Sequence, residues 1–234
     1  RTLTLTAFGD LSVSSIRTMP AGRKPTETHL AVHGKEEKVY RWVGNEIAKG
    51  RQAYFVYPLI GESEKLALRD AETMYRHLSE KVYPGTKVDL IHSRIPEERK
   101  QEIMASFNRG ETAVLVATSV VEVGVDVPNA TCMVVEHAER FGLSALHQLR
   151  GRVGRGTEQS YFFLVYDPEL TEDAKKRLMV MKETSDGFRI AEEDLLIRGP
   201  GELLGVRQSG EFRLMAADLK RDRKSTRLNS SHRT

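Results

Sequence analysis

The run Gln148-Leu149-Arg150-Gly151-Arg152-Val153-Gly154-Arg155-Gly156 places three arginines and three glycines within seven positions. Guanidinium is a permanently charged planar fork that matches phosphate oxygens, and glycine lets a backbone come close to a ligand. Arg152 and Arg155, three apart, are predicted to share one face of a helical turn and so to reach the same multiply charged group. A basic helix end with solvated arginines is the alternative. A second candidate follows the valine-rich run 113–117. Hydroxyls at Thr118 and Ser119 could cap the next turn or donate to phosphate oxygens. Asp126, two residues after Gly124, could accept from a ribose hydroxyl or hold the arginine motif. For Thr118 and Ser119 an ordinary helix cap, and for Asp126 a turn before Pro128, remain open. His137 stands alone and receives no chemistry.

These residues need a scaffold, and the hydropathy pattern supplies one. Residues 28–33, 53–57, 88–92, 113–117, 131–136 and 161–166 read as strands, several as unbroken apolar runs expected where both faces are covered. Between them, 35–49 and 66–83 carry helical spacing. Pro96-Glu97-Glu98 opens a further helix that Gly110 ends. Alternating strands and helices indicate a parallel sheet flanked by helices. Ligands of such sheets sit beyond the carboxyl ends of the strands, which selects the loops after 57, 92, 117 and 136. From Asp167 the pattern changes to two helices, 170–181 and 188–196, joined at Ser185-Asp186-Gly187, and then a Gly-rich segment 198–210. There is no internal repeat.

The chain has 234 residues, 39% of them hydrophobic and 29% charged, enough for a sizeable packed core. The single cysteine, Cys132, excludes an internal disulfide and a cysteine-based zinc cluster and suits a reducing cytoplasm. The longest apolar stretch, 113–121, is too short to cross a bilayer. The net charge of +3 invites a nucleic-acid argument, but Arg223, Lys224, Arg227 and Arg233 of the last twelve residues carry +4 with no acid. Without them the charge is −1. Residues 223–234 lack hydrophobic period and read as a non-native or disordered tail, so overall basicity carries no weight.

Gln-x-x-Gly-Arg-x-Gly-Arg resembles the last signature motif of superfamily 2 helicases and translocases. Thr118-x-x-x-Glu122-x-Gly124-x-Asp126-x-Pro128 resembles the motif that precedes it. The longer run from Glu136-His137-Ala138-Glu139-Arg140-Phe141-Gly142-Leu143-Ser144 through the arginine motif is similar to the RecG family of branched-DNA translocases and to the related Mfd family. Phe8-Gly9-Asp10-Leu11-Ser12 with Pro20-Ala21-Gly22-Arg23-Lys24-Pro25 resembles the RecG linker. Arg177, then Arg198-Gly199-Pro200-Gly201 and Arg207-Gln208, resembles its translocation element.

The resemblance implies a RecA-like α/β fold: residues 1–27 as the end of a first motor domain and linker, 28–166 as the second motor domain, and 167–222 as a helical hairpin and translocation element. It implies Arg155 as a finger on the ATP γ-phosphate, Arg152 as a second phosphate contact, and Gln148 as orienting water or linking to the DNA side. Gly124 and Asp126 fall on the nucleotide side; Thr118, Ser119, Arg177, Arg198 and Gln208 fall on the DNA side. The implied ligands are ATP with Mg2+ and branched duplex DNA, with further motor and wedge domains as partners in cis and no membrane. The phosphate-loop pattern Gly-x-x-x-x-Gly-Lys-Ser/Thr does not occur and no strand-terminal Asp-Glu pair stands upstream. The expectation is therefore a fragment that is inactive alone, its amino terminus cut ahead of Arg1, its Mg2+ ligands lying in the first motor domain, and no metal site of its own. A transcription-repair translocase of the Mfd type, or a non-catalytic nucleic-acid-binding module, is the alternative.

Overall fold

Three strands with every residue buried set the architecture: β2 (Gln52–Tyr57), β4 (Val114–Thr118) and β5 (Ala130–Val135). A computed structural model describes residues 24–58, 64–118 and 127–198; the side chains of 64–67 and 198 lie outside that description. Around the buried strands stand β1 (Glu27–Val32), β3 (Val88–Ile91) and β6 (Tyr161–Tyr166). The six form one sheet in the order β1-β6-β5-β2-β4-β3, and every neighbouring pair is parallel. Parallel strands need crossover helices, which cover both faces.

Period-two alternation divides the core between those faces. Phe55, Val116, Val134 and Phe163 point to one side, toward α1 (Glu37–Ala48) and α2 (Glu64–His77). Tyr54, Leu115, Met133 and Phe162 point to the other, toward α3 (Glu97–Asn108) and α4 (Leu143–Arg150). The same second core takes in Leu178 and Met181 of α5 (Glu172–Glu183) and Ile190 of α6 (Gly187–Arg198). The hairpin α5–α6 thus packs on the motor fold as part of one apolar cluster.

Local sequence explains the boundaries. Pro96 precedes α3 with Glu97 and Glu98 in its first turn, where a missing N–H costs nothing and acids meet the positive end of the helix dipole. Thr171 caps α5 by accepting from the Ala174 N–H at 3.2 Å, with Glu172 and Asp173 following. The helix expected over 66–83 ends at His77 and continues as one π-helical turn, Leu78–Val82, closed by Tyr83 N–H donating to Leu78 O at 2.8 Å. Leu78 and Tyr83 are five apart and both belong to the α1–α2 core. The wider turn brings them to one side, and the Tyr83 hydroxyl then donates to Tyr40 O at 2.8 Å.

Candidate functional site

Leu143, Leu146 and Leu149 bury one face of α4, which leaves Gln148 exposed on the other. The helix stops at Arg150. Arg152 N–H donates to Leu149 O at 3.0 Å and Val153 N–H to Arg150 O at 3.3 Å, making a tight turn that plants Val153 in the core. Gly154 then adopts φ +77°, a left-handed conformation that side chains other than glycine resist. Arg152 and Arg155 therefore lie beyond the end of α4, on either side of a left-handed glycine, and not on one helical face as predicted. Both are partly exposed. Arg155 Nε donates to Gly151 O at 3.1 Å, folding the side chain back over the end of α4, where cations are favoured.

Arg150 is different in kind. It is only 5% exposed, and its Nη1 donates to Met181 O at 2.9 Å and Thr184 O at 2.8 Å. Those carbonyls belong to the end of α5, so Arg150 supplies a cationic C-cap to the first arm of the hairpin. Burial lowers its pKa from the ordinary arginine value. His147 Nδ1 lies 3.4 Å from Arg150 Nη2, and its pKa is lowered by burial first and by Arg150 second. Sequence reasoning grouped Arg150 with the phosphate arginines. Its spacing from Leu143, Leu146 and Leu149 was the available signal, because residue 150 falls on their buried side.

The arginine loop leads into β6 at Tyr161 and sits at the amino edge of the sheet, beside Glu27 of β1 and Ala130 of β5. The carboxyl-edge rule did not select this loop. Thr118, at the carboxyl end of β4, is fully buried, and its Oγ1 has no hydrogen-bond partner among the described residues. The chain leaves that edge at Thr118 and resumes at Val127 on the amino edge, where Ala130 N–H donates to Val127 O at 3.0 Å. Five residues of strand, about 17 Å, separate the two edges. Ser119, Gly124 and Asp126 lie outside the described residues, as do Gln208 and the side chain of Arg198.

The carboxyl edge carries a polar cluster that the sequence did not announce. Glu136 follows β5, is 1% exposed, and accepts from the Tyr40 hydroxyl at 3.3 Å. Burial, reinforced by Glu36, pushes its pKa up to about 7. The Tyr57 hydroxyl nearby is buried without a partner among the described residues. His137 turns the chain at φ +49°, with Nδ1 3.6 Å from Glu139 Oε1. Arg177 of α5 donates from Nη2 to Glu139 O at 3.0 Å, and its Nε is buried without a partner among the described residues. Arg177 thus ties the hairpin to the turn after β5, much as Arg150 ties it to α4. Among the described residues no group of three or more His, Cys, Asp or Glu is placed to hold a metal, and no helix is long and apolar enough to cross a membrane.

A parallel α/β sheet with an arginine loop at one edge and a buried threonine at the other defines a RecA-like helicase lobe. The chain belongs to the helicase conserved C-terminal domain family, which it matches over residues 35–157. Residues 184–231 match a second family, ATP-dependent DNA helicase RecG, domain 3, C-terminal. The chain is similar to ATP-dependent DNA helicase RecG of Borreliella burgdorferi, 56% identical over 95% of this chain and 32% of that protein. The RecG of Treponema pallidum is likewise 56% identical, over 95% of this chain and 33% of its own length. The chain thus spans about a third of the length of the curated relatives it matches. A solved structure of RecG bound to a three-way DNA junction superposes with a TM-score of 0.72 at 44% identity, covering 95% of this chain and 28% of that one.

Proposed function

We propose that this chain is the second motor lobe and C-terminal hairpin of a cytoplasmic, ATP-dependent helicase that translocates on branched duplex DNA. The observation that carries the reading is the division of the sheet, with the arginine loop at one edge and Thr118 at the other. Nucleotide and DNA then occupy opposite edges of one rigid body. On the nucleotide edge Arg155 is the finger, Arg152 a second phosphate contact and Gln148 the group that orients water. Gly124 and Asp126, in the segment that leads to Val127, serve the same edge. An arginine supplied to the transition state of phosphoryl transfer raises its rate by about 10³–10⁵.

Bound between this lobe and another, ATP with Mg2+ supplies the phosphoryl group to be transferred. The arginines fit its phosphates. In this reading the ligands of Mg2+ lie in the other lobe. On the DNA side we assign Ser119 to backbone phosphates and the buried Thr118 to supporting it from the end of β4, while Arg177, Arg198 and Gln208 carry motion from the hairpin to the duplex. Contacts of this kind are weak in sequence preference and sensitive to salt. The deciding experiment is Arg155→Ala in the longer protein. DNA-stimulated ATP turnover falls by about 10³ or more while ATP binding persists; turnover near the wild-type rate removes Arg155 from the finger role.

A further inference from the structure

The arginine loop occupies a slot between two other segments, and its glycines record how narrow the slot is. On one wall lies the lead-in to β1. Gln159 Nε2 donates to Pro25 O at 2.9 Å and Glu27 N–H donates to Ser160 O at 2.9 Å, which locks residues 25–27 to 159–160. Between them Thr26 Oγ1 stands where a methyl on Gly154 would come within 2.6 Å of it. On the other wall a methyl on Gly156 would stand 2.8 Å from Pro128 O. Arg51 fastens that side, pairing with Glu158 at 3.2 Å and with Asn129 Oδ1 at 3.2 Å. Arg152 and Arg155 flank Gly154, so neither can shift along the slot without displacing Thr26 or Pro128.

We propose that Thr26, through its contact with Gly154, is a positioning residue that sets where Arg152 and Arg155 stand. Residues 24–26 are the covalent approach to this lobe from residues 1–23. A pull on that approach during lobe closure reaches the finger loop directly, over one van der Waals contact, without passing through the sheet. The inference rests on the assignment of Arg152 and Arg155 to phosphate. It adds a mechanical input to them that their own motif does not contain.

The test is a double-mutant cycle in the longer protein, with DNA-stimulated ATP turnover as readout. Thr26→Gly lowers kcat about tenfold and changes KM for ATP by less than about threefold, as for a group felt in the transition state. Gly154→Ala lowers kcat about a hundredfold. Independent sites would multiply to about a thousandfold, whereas Thr26→Gly/Gly154→Ala stays at or above the Gly154→Ala level because the removed side chain makes room for the methyl. Multiplicative losses, or Thr26→Gly at wild-type kcat, overturn the proposal. If Gly154→Ala does not fold, amide exchange decides. Thr26→Gly raises exchange at 151–157 about fivefold or more over wild type with β2 and β4 unchanged, and unchanged exchange at 151–157 overturns the proposal. Full turnover by Arg155→Ala would remove the phosphate assignment instead, while leaving the Thr26 exchange result as it stands.

Discussion

Arg150 holds the carbonyl of Thr184 at 2.8 Å, and that one bond joins the last residue of the motif helix to the end of the hairpin's first arm. With the bond to Met181 O at 2.9 Å, a nearly buried guanidinium is satisfied by neutral acceptors at a helix C-terminus. The dipole there takes the place of a carboxylate partner.

Removal of this group leaves two carbonyls unsatisfied and a hole beside α4. Arg150→Ala is expected to cost on the order of 3 kcal/mol, a fall in Tm of roughly 6–12 °C for a chain of this size. Arg150→Lys, which keeps the charge but not the fork, falls between. Thermal unfolding of the three proteins checks the order, and an Arg150→Ala Tm equal to wild type would mean that the cap is ornamental.

Glu136 makes stability depend on pH in a defined window. Its folded pKa is about 7 against an ordinary value of 4.5, so the protonated acid is favoured by folding. The stability this contributes is complete below about pH 4.5 and is lost as pH rises through 7. Glu136→Gln, which mimics the protonated group, is expected to gain on wild type by about 3 kcal/mol between those limits. Denaturant titrations at pH 5, 6, 7 and 8 measure the difference; parallel profiles would show that Glu136 does not titrate there.

Gln208 is proposed to act on the DNA side, in coupling and not in ATP turnover. In the longer protein Gln208→Ala is expected to keep at least about half of the DNA-stimulated ATP turnover while losing about tenfold or more in fork unwinding. Equal loss of both activities would point to misfolding and remove Gln208 from the coupling role.

The strands were legible because parallel burial writes itself as largely apolar runs: 53–57, 113–117, 131–136 and 161–166 each coincide with a strand to within a residue at either end. The hairpin was legible from its helical spacing. The geometry of the arginines was not. A positive φ at Gly154 and a tertiary cap made by Arg150 depend on segments far away in sequence, Thr26 and Thr184 among them. Glu136 escaped for a related reason. A glutamate at a strand end reads as a solvated terminus until α1 brings Tyr40 over it. The rule that sends ligands to carboxyl edges pointed toward Thr118 and away from the arginine loop.

The separation of those two edges has a mechanical meaning. A close-packed sheet is stiff, so the span of about 17 Å along β4 works as a strut. A tilt of about 10° around the arginine edge carries the opposite edge through about 3 Å, close to the ~3.4 Å spacing of successive base pairs. Under the proposed translocation on DNA, a lobe of this shape would need no large deformation to advance by the natural unit of its track.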